Sequence, residues 1–179
     1  MKQILVLVGG SGTGKTTIVH ELVKEGFVRL ITTTTRPMRK GEVDRIDYNF
    51  VTRDQFDLLD KVEENEYAGN MYGLTTEEIE RKLKVSDRLV IVVDINGARA
   101  LQKHYPKETK IVFIKVTKEL MIDRLRFRGS SESEVQERLE EAERGNEYNV
   151  PKGVDLVIEN NVLSETVKEI VDFSKAKTN

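Results

Sequence analysis

Eight consecutive residues constrain this chain more than any others. Gly9, Gly10, Ser11, Gly12, Thr13, Gly14, Lys15 and Thr16 match G-x-x-x-x-G-K-[ST] at every fixed position. The match stands in the context it requires. An apolar run over residues 4–8 precedes it, and Thr17, Ile18, Val19, His20, Glu21, Leu22 and Val23 follow with the pattern of a helix. A strand that turns into a helix through glycines leaves a ring of backbone N–H groups at a positive helix end, which holds an anion without any side-chain charge. Glycine is needed where a Cβ would keep phosphate oxygens away. The phosphate-binding set is then residues 9–17, with Lys15 placed to follow a transferring phosphoryl group and the Thr16 hydroxyl placed to ligate magnesium. The bland alternative is a glycine-rich turn that binds nothing. The loop names a nucleotide-dependent phosphate binder and leaves the second substrate open.

The rest of the chain alternates short apolar runs with helix-period segments. Residues 4–8, 28–31, 89–93, 111–114 and 156–158 read as strands covered on both faces. Helices are expected from Lys15, after Asn96, from Thr117 and from Ser164; in the last, Leu163, Val167, Ile170 and Val171 share one face. Such alternation with long crossovers predicts an α/β fold with a parallel, doubly wound sheet. Two stretches break the pattern. Residues 32–75 are polar with interspersed tyrosines and carry Thr52 with Gln55 and Thr75 with Glu78 as capping boxes. Residues 124–149 are highly charged and carry Ser131 with Glu134 as another.

Composition bounds the partners. The chain has 179 residues, a net charge of -2 and no cysteine. That length suits one domain, and the charge provides no general attraction for nucleic acid or an anionic membrane. Phosphate recognition must therefore be local. Without cysteine there is no disulfide framework, thiolate metal site or thiol nucleophile, and His20 and His104 lack a metal-ligand spacing. The sequence starts directly with an apolar strand and shows neither a signal peptide nor a membrane-spanning run, so a cytoplasmic location is the default expectation.

A second anion cradle is expected after residue 31. Thr32, Thr33, Thr34, Thr35, Arg36, Pro37, Met38, Arg39, Lys40, Gly41 and Glu42 lead into Asp47, Tyr48, Asn49 and Phe50. Two arginines three residues apart, stiffened by Pro37, can grip one phosphate from two sides, and Tyr48 and Tyr72 can add phenolic donors. Alone, such a cluster is as readily a solvated loop. Together with Gly69, Asn70, Met71, Tyr72 and Gly73, however, this block resembles the guanylate kinase family, and the similarity extends from Ile4 to Asn160.

The resemblance implies a single domain over 1–179: a P-loop NTPase-type core (1–31, 76–123 and 150–179), a GMP-binding insertion (32–75) and a helical lid (124–149). It implies transfer of the γ-phosphoryl group of ATP to GMP or dGMP, with Mg2+ carried on the ATP and no nucleic-acid or membrane partner. By resemblance, Arg36, Arg39, Tyr48 and Tyr72 hold the acceptor phosphate. Thr32 offers a hydroxyl to guanine O6, Glu63 and Asp94 read the guanine N1–H and 2-amino edge, and Glu42 lies near the reacting groups. Arg124, Arg128 and Arg138 close over the ATP phosphates, and Asn160 contacts adenine. The carboxylate pair also makes chemical sense by itself, because guanine presents two adjacent donors where adenine has an unprotonated N1 and no 2-amino group. Plainer readings stand beside these: Asp94 as a helix N-cap, Glu63 as one more solvated acid, and Glu134, Glu137, Arg138, Glu140, Glu141 and Arg144 as an ion-paired helix face.

The sequence departs from the family at four places. Leu74 stands where a serine is usual, Val92 where many members carry an acid, Pro37 follows Arg36 directly, and the stretch from Phe56 to Glu63 is short. Two other readings share the scaffold. A phosphokinase acting on a ribose bisphosphate would not need the carboxylate pair. A non-catalytic interaction module would lack the loop lysine and lid arginines present here.

Overall fold

The computed structural model describes residues 2–10, 12–127, 129–144 and 149–176, and excludes the side chains of residues 141 and 144. Ser11 and Arg128, two of the expected phosphate contacts, lie outside the described residues, as do Tyr148 and the side chains of Glu141 and Arg144.

Chain order explains the layering. Strand β1 (Gln3–Val8) leads through the glycine loop into α1 (Lys15–Lys24) and then β2 (Val28–Arg29). A second group follows: β3 (Thr33–Thr34), β4 (Asn49–Phe50), α2 (Arg53–Asp57), β5 (Lys61–Tyr67) and β6 (Asn70–Thr75). The chain then returns through α3 (Thr76–Leu83), β7 (Arg88–Val92), α4 (Ile95–His104), β8 (Thr109–Lys115), α5 (Lys118–Phe127), α6 (Glu132–Arg144), β9 (Leu156–Glu159) and α7 (Leu163–Lys175).

The first sheet has the order β2-β7-β1-β8-β9, with every pairing parallel. Strand side chains alternate faces, and the apolar residues sort accordingly. Ile4, Val6, Val8, Leu89, Ile91, Ile111 and Phe113 pack with Ile79, Ala98 and Leu101 from α3 and α4. Leu5, Leu7, Val90, Val112, Ile114 and Ile158 pack on the other face with Ile18, Val19 and Leu22 of α1 and Val167, Ile170 and Val171 of α7. A continuous apolar run is what a strand buried on both faces requires.

Three expectations shift in detail. The strand expected over 28–31 is shorter, Val28–Arg29, with the Leu30 N–H still donating to the Val90 carbonyl at 2.9 Å before the chain leaves the sheet edge toward the second sheet. The helix expected after Asn96 begins at Ile95, since Asp94 caps it by accepting from the Gly97 N–H at 2.8 Å. The polar stretch forms a four-stranded second sheet, order β4-β3-β6-β5, in which β3 pairs parallel with β4 and antiparallel with β6.

The capping boxes divide instructively. Thr52 with Gln55 forms both reciprocal bonds, and Ser131 with Glu134 does the same. Thr75 accepts from the Glu78 N–H at 3.2 Å, but the Glu78 carboxylate accepts from the Ile31 N–H at 3.1 Å. Glu78 thereby ties together the two places where the chain crosses between the sheets. Helices α5 and α6 form a third apolar cluster around Met121, Val135, Leu139 and Ala142, separate from the other two.

Candidate active site

Functional candidates gather at the carboxyl ends of the parallel strands, where ligands bind in open α/β sheets. The glycine loop follows β1, Asp94 follows β7, and Asn160 follows β9. Gly9 has φ of 143°, and a Cβ there would stand 2.1 Å from the Ile114 carbonyl oxygen. Only glycine lets the loop leave β1 so close to β8. Gly14, the N-cap of α1, adopts the left-handed conformation at φ 92°. The Lys15 ammonium lies across the loop, donating to the carbonyls of Gly9 at 2.7 Å and Gly10 at 2.6 Å. Gly12 and Gly14 line the hollow beside it, and the Thr16 and Thr17 side chains are exposed at the start of α1.

Behind the loop runs a buried polar network. The Asn160 amide donates to the Thr13 carbonyl at 2.8 Å, and its oxygen accepts from the Thr166 hydroxyl at 3.0 Å. Asn160 and Thr166 are each 2% exposed. Arg124 donates to the Asn160 carbonyl at 2.6 Å and, at 3.5 Å, to Thr13. The structure therefore brings Arg124 against the glycine loop. It also gives Asn160 a loop-bracing role that the sequence did not reveal, with both ends of its amide engaged. A hollow of about 570 Å³ opens alongside, lined in part by Gly12, Gly14, Thr17, Arg124 and Asn160. Arg138 is half-buried on α6.

The second cradle is built on β3, β4 and β6. Arg36 is 9% exposed, and its guanidinium donates to Glu42 at 2.6 Å and to the Pro37 carbonyl at 2.8 Å. Its carbon lies 5.4 Å from the Tyr48 ring centre and 5.6 Å from that of Phe50. The Tyr48 and Tyr72 rings meet edge-on at 6.0 Å. Glu42 also accepts from the Arg39 backbone N–H at 2.7 Å. The hydrogen bond from Arg36, followed by that from the Arg39 N–H, holds the Glu42 carboxyl below the usual range, and the Glu42 hydrogen bond chiefly raises Arg36. The two arginines thus differ. Arg36 is anchored in an aromatic wall, whereas Arg39 is exposed on the loop. Thr32 is half-buried just before β3.

Glu63 and Asp94, 31 residues apart in sequence, meet at the first turn of α4. A Cβ at Gly97 would lie 3.0 Å from the Glu63 carboxylate, so glycine makes room for it. Burial, then the Asp94 charge, pushes the Glu63 carboxyl up to about 7; the Leu74 backbone N–H offsets part of this and Glu64 adds to it. Glu63 is therefore not simply another solvated acid. Asp94 caps the helix as the plainer reading expected, and it also faces Glu63. Asn65, unremarked in the sequence among Glu63, Glu64 and Glu66, donates to Asp94 at 3.1 Å. Leu74 is fully buried in the main core, and Val92 packs against the opposite cluster, which explains why neither carries a polar group. The Phe56-to-Glu63 stretch closes tightly because the Lys61 ammonium donates to the Phe56 and Leu59 carbonyls, both at 2.9 Å.

Among the described residues, Lys118 pairs with Glu143 at 2.7 Å and Arg126 with Glu132 at 2.8 Å, both from α5 to α6, and Gln136 donates to Glu140 at 3.0 Å along α6. No helix is long and apolar enough to span a membrane, and no cluster of three or more acidic, histidine or cysteine side chains is positioned to hold a metal, among the described residues.

A parallel sheet with a phosphate loop on its central strand and flanking helices defines the P-loop NTPase-type fold. Comparison with known proteins narrows the class. The guanylate kinase family profile matches residues 1–177. A guanylate kinase from Prochlorococcus marinus subsp. pastoris is 30% identical, with 98% of each chain covered. One from Wolinella succinogenes is 35% identical over 97% of this chain and 83% of its own. The crystal structure of guanylate kinase from Anaplasma phagocytophilum superposes with a TM-score of 0.72 at 26% identity, covering 99% of this chain and 88% of that one. The chain belongs to the guanylate kinase family and is a kinase, a nucleotide-binding transferase.

Proposed function

We infer that the chain transfers the γ-phosphoryl group of ATP to GMP or dGMP, yielding ADP and GDP or dGDP. The observation that carries this reading is the convergence of Glu63 and Asp94 on one turn of α4. Two carboxylates present only acceptors when ionised. Guanine answers with N1–H and the 2-amino group, whereas adenine would set a lone pair against a carboxylate. A site built to bond a donor rejects its absence by about 10⁴–10⁵-fold.

The roles are those that the family resemblance implies. Residues 32–75 form the acceptor-binding insertion, 124–149 the lid, and 1–31, 76–123 and 150–179 the core. Arg36, Arg39, Tyr48 and Tyr72 donate to the acceptor phosphate, with Glu42 fixing Arg36; Thr32 faces guanine O6. An acceptor phosphate oxygen attacks the γ-phosphorus as the bond to the β–γ bridging oxygen breaks, and ADP leaves. That oxygen is already anionic at neutral pH, so no protein base is required. Catalysis then rests on alignment and charge neutralisation. The glycine loop holds the donor phosphates, Lys15 moves from its carbonyl contacts to the transferring group, and Arg124, Arg128 and Arg138 shield the site from water.

Magnesium fits this donor set as a companion of ATP. The exposed Thr16 hydroxyl is a hard oxygen ligand at the loop's edge, and an ion that keeps several waters needs few protein ligands. When bound, it neutralises charge on the β- and γ-phosphates.

The test is an acceptor panel. Protein, ATP and magnesium are incubated with GMP, dGMP, AMP, CMP, UMP or a ribose bisphosphate, and products are separated by ion exchange. GDP and dGDP are expected to dominate. Turnover of the ribose bisphosphate with none of GMP would overturn the reading.

A further inference from the structure

We propose that Asn65 is a specificity-positioning residue, holding the Asp94 carboxylate toward the 2-amino group of the acceptor base. The proposal deepens the guanine reading above and rests on it. Three observations converge. Asn65 and Glu63 lie two apart on β5 beyond its irregularity at Lys61 and so share a face of the strand. The Asn65 amide donates to Asp94 Oδ2 at 3.1 Å. The other Asp94 oxygen accepts from the Gly97 N–H at 2.8 Å.

An N-cap aspartate held at one oxygen can still turn about its terminal torsion, which is broad for a carboxylate. A donor on each oxygen removes that freedom. Acceptor capacity remains, because an ionised carboxylate offers about four lone-pair directions. Residue type matters here. Asn65 stands among Glu63, Glu64 and Glu66, and a fourth acid would set a like charge against Asp94. An amide instead donates. With Leu74 committed to the core, the second sheet supplies no hydroxyl at that position to orient the base, which puts more weight on the carboxylates being fixed.

The experiment compares Asn65→Ala, Asn65→Asp and the wild type with GMP and with inosine monophosphate, which lacks the 2-amino group. Glu66→Ala, one residue along the strand, is the control. For Asn65→Ala the GMP KM is expected to rise about tenfold, the loss of one hydrogen bond to a charged group. The GMP-over-inosine preference is expected to fall by a similar factor, while kcat at saturation and the ATP KM hold. Asn65→Asp, nearly isosteric, is expected to lose more. An unmoved GMP KM, or equal rises for GMP and inosine monophosphate, overturns the proposal, since loosening of the strand would affect both acceptors alike. Should Asn65→Ala fail to fold by circular dichroism, Asn65→Asp decides by the same criteria. A wild type that turns over no GMP overturns the underlying reading, a result the variants cannot mimic.

Discussion

At Glu63 the balance of forces is explicit. Burial and the Asp94 charge raise its folded carboxyl to about 7, against about 4.3 for an unperturbed glutamate. A raised carboxyl contributes stability that is fully present below about pH 4 and is lost as pH climbs through 7, to an extent on the order of 3–4 kcal/mol. Glu63→Gln should therefore melt above the wild type at pH 8 and converge with it at pH 4; parallel melting curves would contradict the assignment. Binding runs the opposite way, because guanine needs the ionised form. Between pH 6 and pH 8 the ionised fraction climbs from about 0.1 to about 0.9, so GMP affinity should rise about tenfold. Glu63→Gln, titrated in parallel, removes the contribution of the nucleotide's own phosphate. Gly9 makes a separate claim about the backbone. Gly9→Ala would place a Cβ 2.1 Å from the Ile114 carbonyl oxygen. Its expected cost is about 2–4 kcal/mol of strain and displacement, read by chemical denaturation; an unchanged midpoint would mean that β8 yields easily.

Elements vary in how plainly they speak through sequence. Strands β1, β7 and β8 were legible because burial on both faces demands an unbroken apolar run, and their apolar residues divide cleanly between two cores. The glycine loop was legible because a backbone cradle tolerates little variation. The second sheet was legible only as an interruption. Strands β3 and β4 are two residues each, too short for any period, and are held by pairing with partners far along the chain. Asn65 and Thr166 were hidden for the same reason, since a polar residue becomes functional through what lies across from it. Helix α6 illustrates the limit: its charges stand out in the sequence, while the contact with α5 is made by Val135, Leu139 and Ala142 together with ion pairs from Lys118 and Arg126. Since that cluster is separate from the main cores, Leu139→Ala should loosen α6 locally. Faster amide exchange in α5 and α6 and a raised ATP KM are expected, with exchange in β1 and β8 unchanged. Uniformly faster exchange would show the cluster to be part of the global core.

Across the whole molecule, two sheets divide the work. The parallel sheet carries the glycine loop after β1, and the second holds Arg36, Tyr48 and Tyr72 around an anchored ion pair. The two chain crossings between them, at Ile31 and Thr75, are tied by Glu78 through one side-chain and one backbone bond. Lys15→Ala should abolish turnover while circular dichroism and melting stay close to wild type, because its bonds to the Gly9 and Gly10 carbonyls lie within the loop. Arg39→Ala should raise the KM for GMP well beyond that for ATP; the reverse would move Arg39 to the donor side. All of this depends on the carboxylate pair choosing the acceptor. The most direct measurement is the ratio of kcat/KM for GMP to that for AMP, with ATP saturating. The account predicts a ratio of about 10⁴ or more, and a ratio near one would contradict it.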